Sequence, residues 1–233
     1  MKQLTTILIA IEFLSCNGQT KSTETKAPVT EVPGQTTSLT QTEIKGLDSV
    51  NIDFQFRGDC YAYSNAKNAE ESNGEAHSDN LAKKVDKSFP RQGFYLVINQ
   101  NEFSKIDSAI LVCKLYLVNT TDSLIKLEAS DSRLYIVAEA LNEKKEWTPI
   151  SYLPSSGCGN SYHTVVLDKD EYWRFDIPVF RGSIKTKLRY TLTIDKDTKI
   201  SSNEIAAYLN KGQFDKENKQ GHSSNNIMDP YGE

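Results

Sequence analysis

The chain has 233 residues, 38% of them hydrophobic, with 27 Lys and Arg against 31 Asp and Glu for a net charge of -4. That sign, and the lack of a dense Lys/Arg block, argue against a nucleic-acid partner. No run reaches the roughly 18 apolar residues of a membrane-spanning helix, and the length suits one large all-β domain with loose ends.

The chain opens with Lys2, then a mostly apolar run to Leu14, the small residue Ser15 and then Cys16. These are the parts of an export signal. Phe13-Leu14-Ser15-Cys16 resembles the lipobox of bacterial lipoproteins. The resemblance implies that 1–15 is a signal peptide and that Cys16 becomes the lipid-bearing N-terminus. Each buried CH₂ of its acyl chains would add about 0.8 kcal/mol of membrane affinity. The segment 16–46 is dominated by Thr, Ser, Gln, Lys, Pro and Gly. It buries too little to offset its ordering entropy and reads as a flexible tether. Cys16-Asn17-Gly18-Gln19-Thr20-Lys21 resembles the start of mature Bacteroidota lipoproteins. The acidic run that accompanies surface export in that group is missing, which implies the periplasmic face of the outer membrane.

A β domain is expected over 47–215. Val50, Ile52, Phe54 and Phe56 alternate with polar residues, the pattern of a half-buried strand. The stretch 65–88 is a polar excursion, and the spacing of Leu81 and Val85 permits a short surface helix. A strand resumes at 94–98, with a polar break at 104–108. The strongest strand is Ile110–Asn119: Leu111, Cys113, Leu115 and Leu117 form an apolar face, while Lys114 and Tyr116 mark the other, so burial on one side is expected. Asn119-Thr120-Thr121-Asp122-Ser123 is a turn. Shorter strands follow at 124–127, at 133–140 with Leu134, Ile136 and Ala138 inward, at 146–150 and at 163–167. Trp173, Phe175 and Ile177 alternate with polar partners, as do Leu188, Tyr190, Leu192 and Ile194. A last strand is expected within 200–209, and 216–233 reads as a disordered tail.

Nine or ten short strands without alternating helices indicate an antiparallel β-sandwich. Cys113 on an early central strand, with Tyr190-Thr191-Leu192 on a late one, resembles the B and F strands of an immunoglobulin-like domain. Leu192 occupies the place of the second cysteine, so that disulfide should be missing and Cys113 should pack as a small apolar residue. Over 110–203 the chain also resembles Bacteroidota lipoproteins with an immunoglobulin-like domain. The likeness rests on Asn119-Thr120-Thr121-Asp122-Ser123, Glu146-Trp147, Cys158-Gly159-Asn160-Ser161-Tyr162-His163 and Lys185-Thr186-Lys187-Leu188-Arg189-Tyr190. It implies fold and location, and no activity.

In an oxidising compartment Cys60 and Cys158, both in turn-like segments, are the pair to expect if a disulfide forms, the alternative being three reduced thiols. Such a bridge would close a loop of about 100 residues and contribute about 4–5 kcal/mol in the chain-entropy model. The loop aromatics Tyr61, Tyr63, Tyr152 and Tyr162 are candidate ligand-binding residues, since such rings stack on sugars. Cys158 and His163 carry the alternative of a thiol enzyme. His77, His163 and His222 have no zinc spacing, and no cofactor motif is present. Asp48-Ser49-Val50, Asp107-Ser108-Ala109 and Asp122-Ser123-Leu124 resemble a Bacteroidota O-glycosylation sequon. The expectation is a lipid-anchored, non-enzymatic binding or structural module of the cell envelope. It touches the membrane through its lipid and a protein or glycan partner through its loops, with a glycan-binding module as the alternative.

Overall fold

The computed structural model describes residues 49–68, 79–86, 88–106, 110–154 and 159–220. The expected signal peptide, the tether with Cys16, the cysteine Cys158 and 221–233 lie outside them. In the first part of the chain β1 (Phe56–Arg57) and β2 (Lys83–Lys84) are short, while β3 (Phe94–Ile106) and β4 (Ile110–Asn119) make a long antiparallel hairpin. Then come β5 (Ile125–Ser130), β6 (Arg133–Leu134), β7 (Ile136–Leu141), β8 (Trp147–Pro149) and β9 (Ser151–Tyr152). The rest is β10 (Tyr162–Leu167), β11 (Glu171–Pro178), β12 (Ile184–Thr193), β13 (Lys199–Ser201) and β14 (Ile205–Leu209). Helix among the described residues is confined to 3₁₀ turns at Ala66–Asn68, Gly159–Ser161 and Lys211–Phe214. The all-β class is therefore as expected.

One sheet has the order β2-β11-β4-β3. In the other, β8, β7 and β12 lie side by side, and β13 and β14 share the far edge of β12. Leu115, Leu117, Trp173 and Ile177 of the first belong to one buried cluster with Ile136, Ala138, Tyr190 and Leu192 of the second, a sandwich-like core. A smaller sheet, β10-β5-β6, and a parallel pair, β1 with β9, complete the fold. Turn chemistry sets the joints. Asn119 donates from Nδ2 to the carbonyls of Ser123 and Asp168 at 2.8 and 3.1 Å, closing the end of β4. Asn142 Oδ1 accepts from the N–H groups of Lys144 and Glu146 in the β7–β8 turn. Asp131 and Ser132 take φ of 50° and 64°, the left-handed pair that suits a two-residue hairpin loop between β5 and β6.

The structure departs from expectation at β4, which is buried on both faces after Ile110. Its second face, Tyr116 and Val118, joins Tyr95 and Tyr172 in a separate cluster closed by Val85, Phe89 and Val97. The Phe89 ring meets Tyr116 and Tyr172 edge-on at 5.5 and 5.4 Å. Polar groups on this face are paired: Lys114 Nζ with Asp176 and with Ser104 Oγ (2.5 Å), and the Tyr116 hydroxyl with Glu102 (2.5 Å). Val85 comes from the supposed polar excursion 65–88 and Phe89 from directly after it, so the described end of that excursion packs against β4. Glu171, wholly buried, holds the start of the excursion through Asn65 Nδ2 at 2.9 Å and Lys67 Nζ at 3.0 Å.

Smaller differences follow the same logic of partners outside the local pattern. The spacing of Leu81 and Val85 does not yield a helix: Lys83 and Lys84 pair with β11, with Ala82 turned into the core and Leu81 outward. Val50, Ile52, Phe54 and Phe56 are half-buried between exposed Asn51 and Asp53, but Gln55, expected on the polar face, is buried, and Val50 and Gln55 form isolated bridges to Phe180 and Lys219 rather than a continuous strand. Ser104 lies within β3, and the run 133–140 is interrupted at Tyr135. The last strand is split into β13 and β14. Part of the supposed tail is structured, for the carbonyl of Asn218 accepts from the Gln55 N–H at 2.7 Å and the N–H of Gln220 donates back to Gln55 at 2.8 Å.

Candidate functional site

The register brings two of the expected tyrosines into one row. Tyr162 on β10 pairs with Ser130 on β5, Ser130 pairs with Arg133 on β6, and Arg133 bridges to Tyr61. Residues at one register position project from the same face of a sheet, so these four side chains are neighbours across four chain segments. Tyr162 is 49% exposed, whereas Ser130 and Arg133 are 3% and 4% exposed. The Arg133 guanidinium donates to the carbonyl of Pro154 at 3.2 Å and to the Tyr61 hydroxyl at 3.5 Å, and it lies 5.8 Å from the centre of the Tyr61 ring. It forms no ion pair with a carboxylate among the described residues. Taking such a charge out of water without an opposite charge costs several kcal/mol. Ser130 Oγ, beside it, has no hydrogen-bond partner. An unmatched guanidinium and an unmatched hydroxyl between two phenol rings can recognise an anion that also carries hydroxyl groups.

The other expected residues are not gathered there. Tyr63 offers its carbonyl to the Trp173 indole N–H at 3.0 Å, a structural role. Tyr152 donates to the carbonyl of Gln220 at 2.8 Å and stacks under Lys219. Tyr172 is in the second buried cluster. A single groove lined by all the loop tyrosines is therefore not what the fold builds. His163 is buried, with Nδ1 3.1 Å from the Ser161 carbonyl and Nε2 3.4 Å from Ser132 Oγ. Donation from Nδ1 to that carbonyl leaves Nε2 as an acceptor for Ser132. Cys158, its proposed partner, lies outside the described residues. Of the Asp-Ser positions, Ser123 is in an exposed turn and Ser49 is buried.

Cys60 and Cys113 are both free and buried. Burial pushes the Cys113 thiol up to about 12, and burial beside Asp59 raises Cys60 well above the usual thiol range. Neither is a thiolate at neutral pH, so neither is a nucleophile. The expected Cys60–Cys158 bridge has its second member outside the described residues, while Cys113 fills core volume beside Leu192 as expected. Two open concavities are lined by described residues, the second of them sharing Tyr61 with the row. One of about 790 Å³ has Leu141, Ile184 and Phe214 at its floor and Lys144, Lys145 and Lys211 around it. Another of about 540 Å³ is lined by Tyr61, Asn80, Arg174 and Asp176. Among the described residues no group of three His, Cys, Asp or Glu is placed to hold a metal ion.

No protein-family model, curated protein or solved structure matches the chain. Arg133 and Ser130 escape a reading of the sequence because nothing local marks them: Arg133 opens a strand on its outward parity, where arginine is ordinary. Its guanidinium meets Tyr61, 72 residues away in sequence.

Proposed function

We propose that the chain is a lipid-anchored, immunoglobulin-like module of the bacterial cell envelope that binds a partner and performs no catalysis. The observation that carries the fold part is the strand order. β3, β4 and β11 lie together in one sheet, and β7, β12 and β14 in the other, the partition of strands A, B and E from C, F and G in immunoglobulin domains. In that alignment Cys113 on β4 and Leu192 on β12 occupy the two disulfide positions, and Tyr190 stands two residues before the second. The anchor part rests on Phe13-Leu14-Ser15-Cys16 and the polar segment after it. Location on the periplasmic face follows from the missing acidic run, as in the Bacteroidota lipoproteins that the chain resembles.

The binding role is supported by the unmatched polar groups of the Tyr162–Arg133 row. Mass spectrometry of the mature protein extracted from membranes of a bacterium producing the full chain tests the anchor: Cys16 as a diacylglyceryl N-terminus is expected. An unmodified Cys16, or a chain still beginning at Met1, overturns it. Protease treatment of intact cells is expected to leave the protein uncut, and cutting would place it on the outer surface instead.

A further inference from the structure

We propose that the row Tyr162, Ser130, Arg133 and Tyr61 binds the carboxylated end of an acidic glycan, with Arg133 taking the carboxylate, Ser130 a sugar hydroxyl, and the two rings flanking the sugar. This deepens the reading of the chain as a binding module and does not depend on its anchor. Two independent features point to a missing ligand. Arg133 is 4% exposed, and among the described residues its guanidinium donates to a neutral carbonyl and a phenol and to no carboxylate, the partner its planar fork lacks. Ser130 is 3% exposed and its Oγ is buried and unpartnered, a cost that the fold by itself does not explain. Glu128, two residues along β5, is exposed and makes no ion pair with Arg133, so no carboxylate among the described residues neutralises the guanidinium.

The chemistry favours a sugar over a protein partner. Phenol rings present flat faces to sugar C–H groups and hydroxyls to their oxygens, and Tyr162 at 49% exposure is the open edge of the row. The exposed aliphatic and phenyl side chains that a protein interface would centre on, Leu81, Phe103, Ile106 and Ile110, are not members of the row.

The test is isothermal titration of the full-length chain in detergent with trigalacturonate, its neutral counterpart galactotriose, and acetate. Saturable binding of trigalacturonate alone is expected. Tyr162→Ala should weaken it about tenfold, the scale of one stacked ring. Ser130→Ala should weaken it severalfold while leaving the melting temperature unchanged or higher, because the hydroxyl removed has no partner in the fold. Arg133→Lys, with circular dichroism to verify folding, should abolish it. No saturable binding of trigalacturonate, equal affinity in Tyr162→Ala and Ser130→Ala, or equal binding of acetate each overturns the proposal. Preference for an acidic peptide such as tetraglutamate would overturn the sugar assignment. None of these outcomes bears on lipidation at Cys16, which mass spectrometry reads separately.

Discussion

Replacing Phe89 by Ala probes the feature that most changes the picture of this chain, the covered second face of β4. Phe89 is half-buried and meets the rings of Tyr116 and Tyr172 at 5.5 and 5.4 Å. Fully burying a Phe side chain contributes about 1.5–3 kcal/mol, and partial burial about half of that. Two edge-on aromatic pairs add about 0.5–1.5 kcal/mol each. The expected loss is about 2–4.5 kcal/mol, or about 4–18 °C in melting temperature for a domain of this size. Urea unfolding followed by the fluorescence of Trp173, which is fully buried, measures it. Phe89→Leu should fall between wild type and Ala, because it restores area without the ring geometry. A loss below about 0.5 kcal/mol for Phe89→Ala, the range of ordinary surface substitutions, would mean that Tyr116 and Tyr172 face water and that β4 is buried on one side only.

The buried thiols make a kinetic and a thermodynamic prediction. At pH 8 the folded chain should react with a thiol reagent at neither Cys60 nor Cys113, and both should label rapidly in urea; fast labelling of the folded protein would contradict their burial. The Cys113 thiol titrates near about 8.5 when unfolded and is pushed up to about 12 when folded. The unfolded state therefore loses its proton first, and stability is full below that range and falls as pH rises through it. The urea midpoint should drop between pH 7 and pH 10, and by less in Cys113→Ala; equal drops would remove the linkage. A third prediction concerns the edge of β3. Asn203 Oδ1 accepts from the Ile98 N–H at 2.7 Å and its Nδ2 donates to the Ile98 carbonyl at 3.2 Å, standing in for a neighbouring strand. Asn203→Ala should cost about 1–2 kcal/mol and expose a strand edge open to self-association. Unchanged stability together with an unchanged sedimentation profile would show that the edge needs no cap.

Much of the β framework was legible in residue order. In β11 and β12 the apolar residues recur at period two, and Trp173, Phe175, Ile177, Leu188, Tyr190 and Leu192 all point into the core as that period requires. Asn119 and Asn142 end strands because their short amides satisfy turn backbone groups within four residues. Leu81 and Val85 misled because helical spacing over one pair is weak; pairing of Lys83 and Lys84 with β11 decided the outcome. The same kind of contact decided the candidate site, where Tyr61 and Tyr162 of the four expected tyrosines share one register row.

What this sequence determined by itself is therefore local: which segments alternate, which residues turn, and that Cys113 faces inward. The tertiary structure decided what covers each strand. Tyr116 has the hydroxyl of a surface residue and the position of a surface residue, and Phe89 together with Tyr95 and Tyr172 buries it. Arg133 reads as an ordinary outward arginine until Ser130, Tyr61 and Tyr162 flank it. Alternation along a strand specifies its two faces, but the surface that seals the second face comes from distant chain, held here by Glu171 with Asn65 and Lys67, about 100 residues apart in sequence. Such pairing is a property of the closed fold, because only closure converts a polar strand face into an interior one.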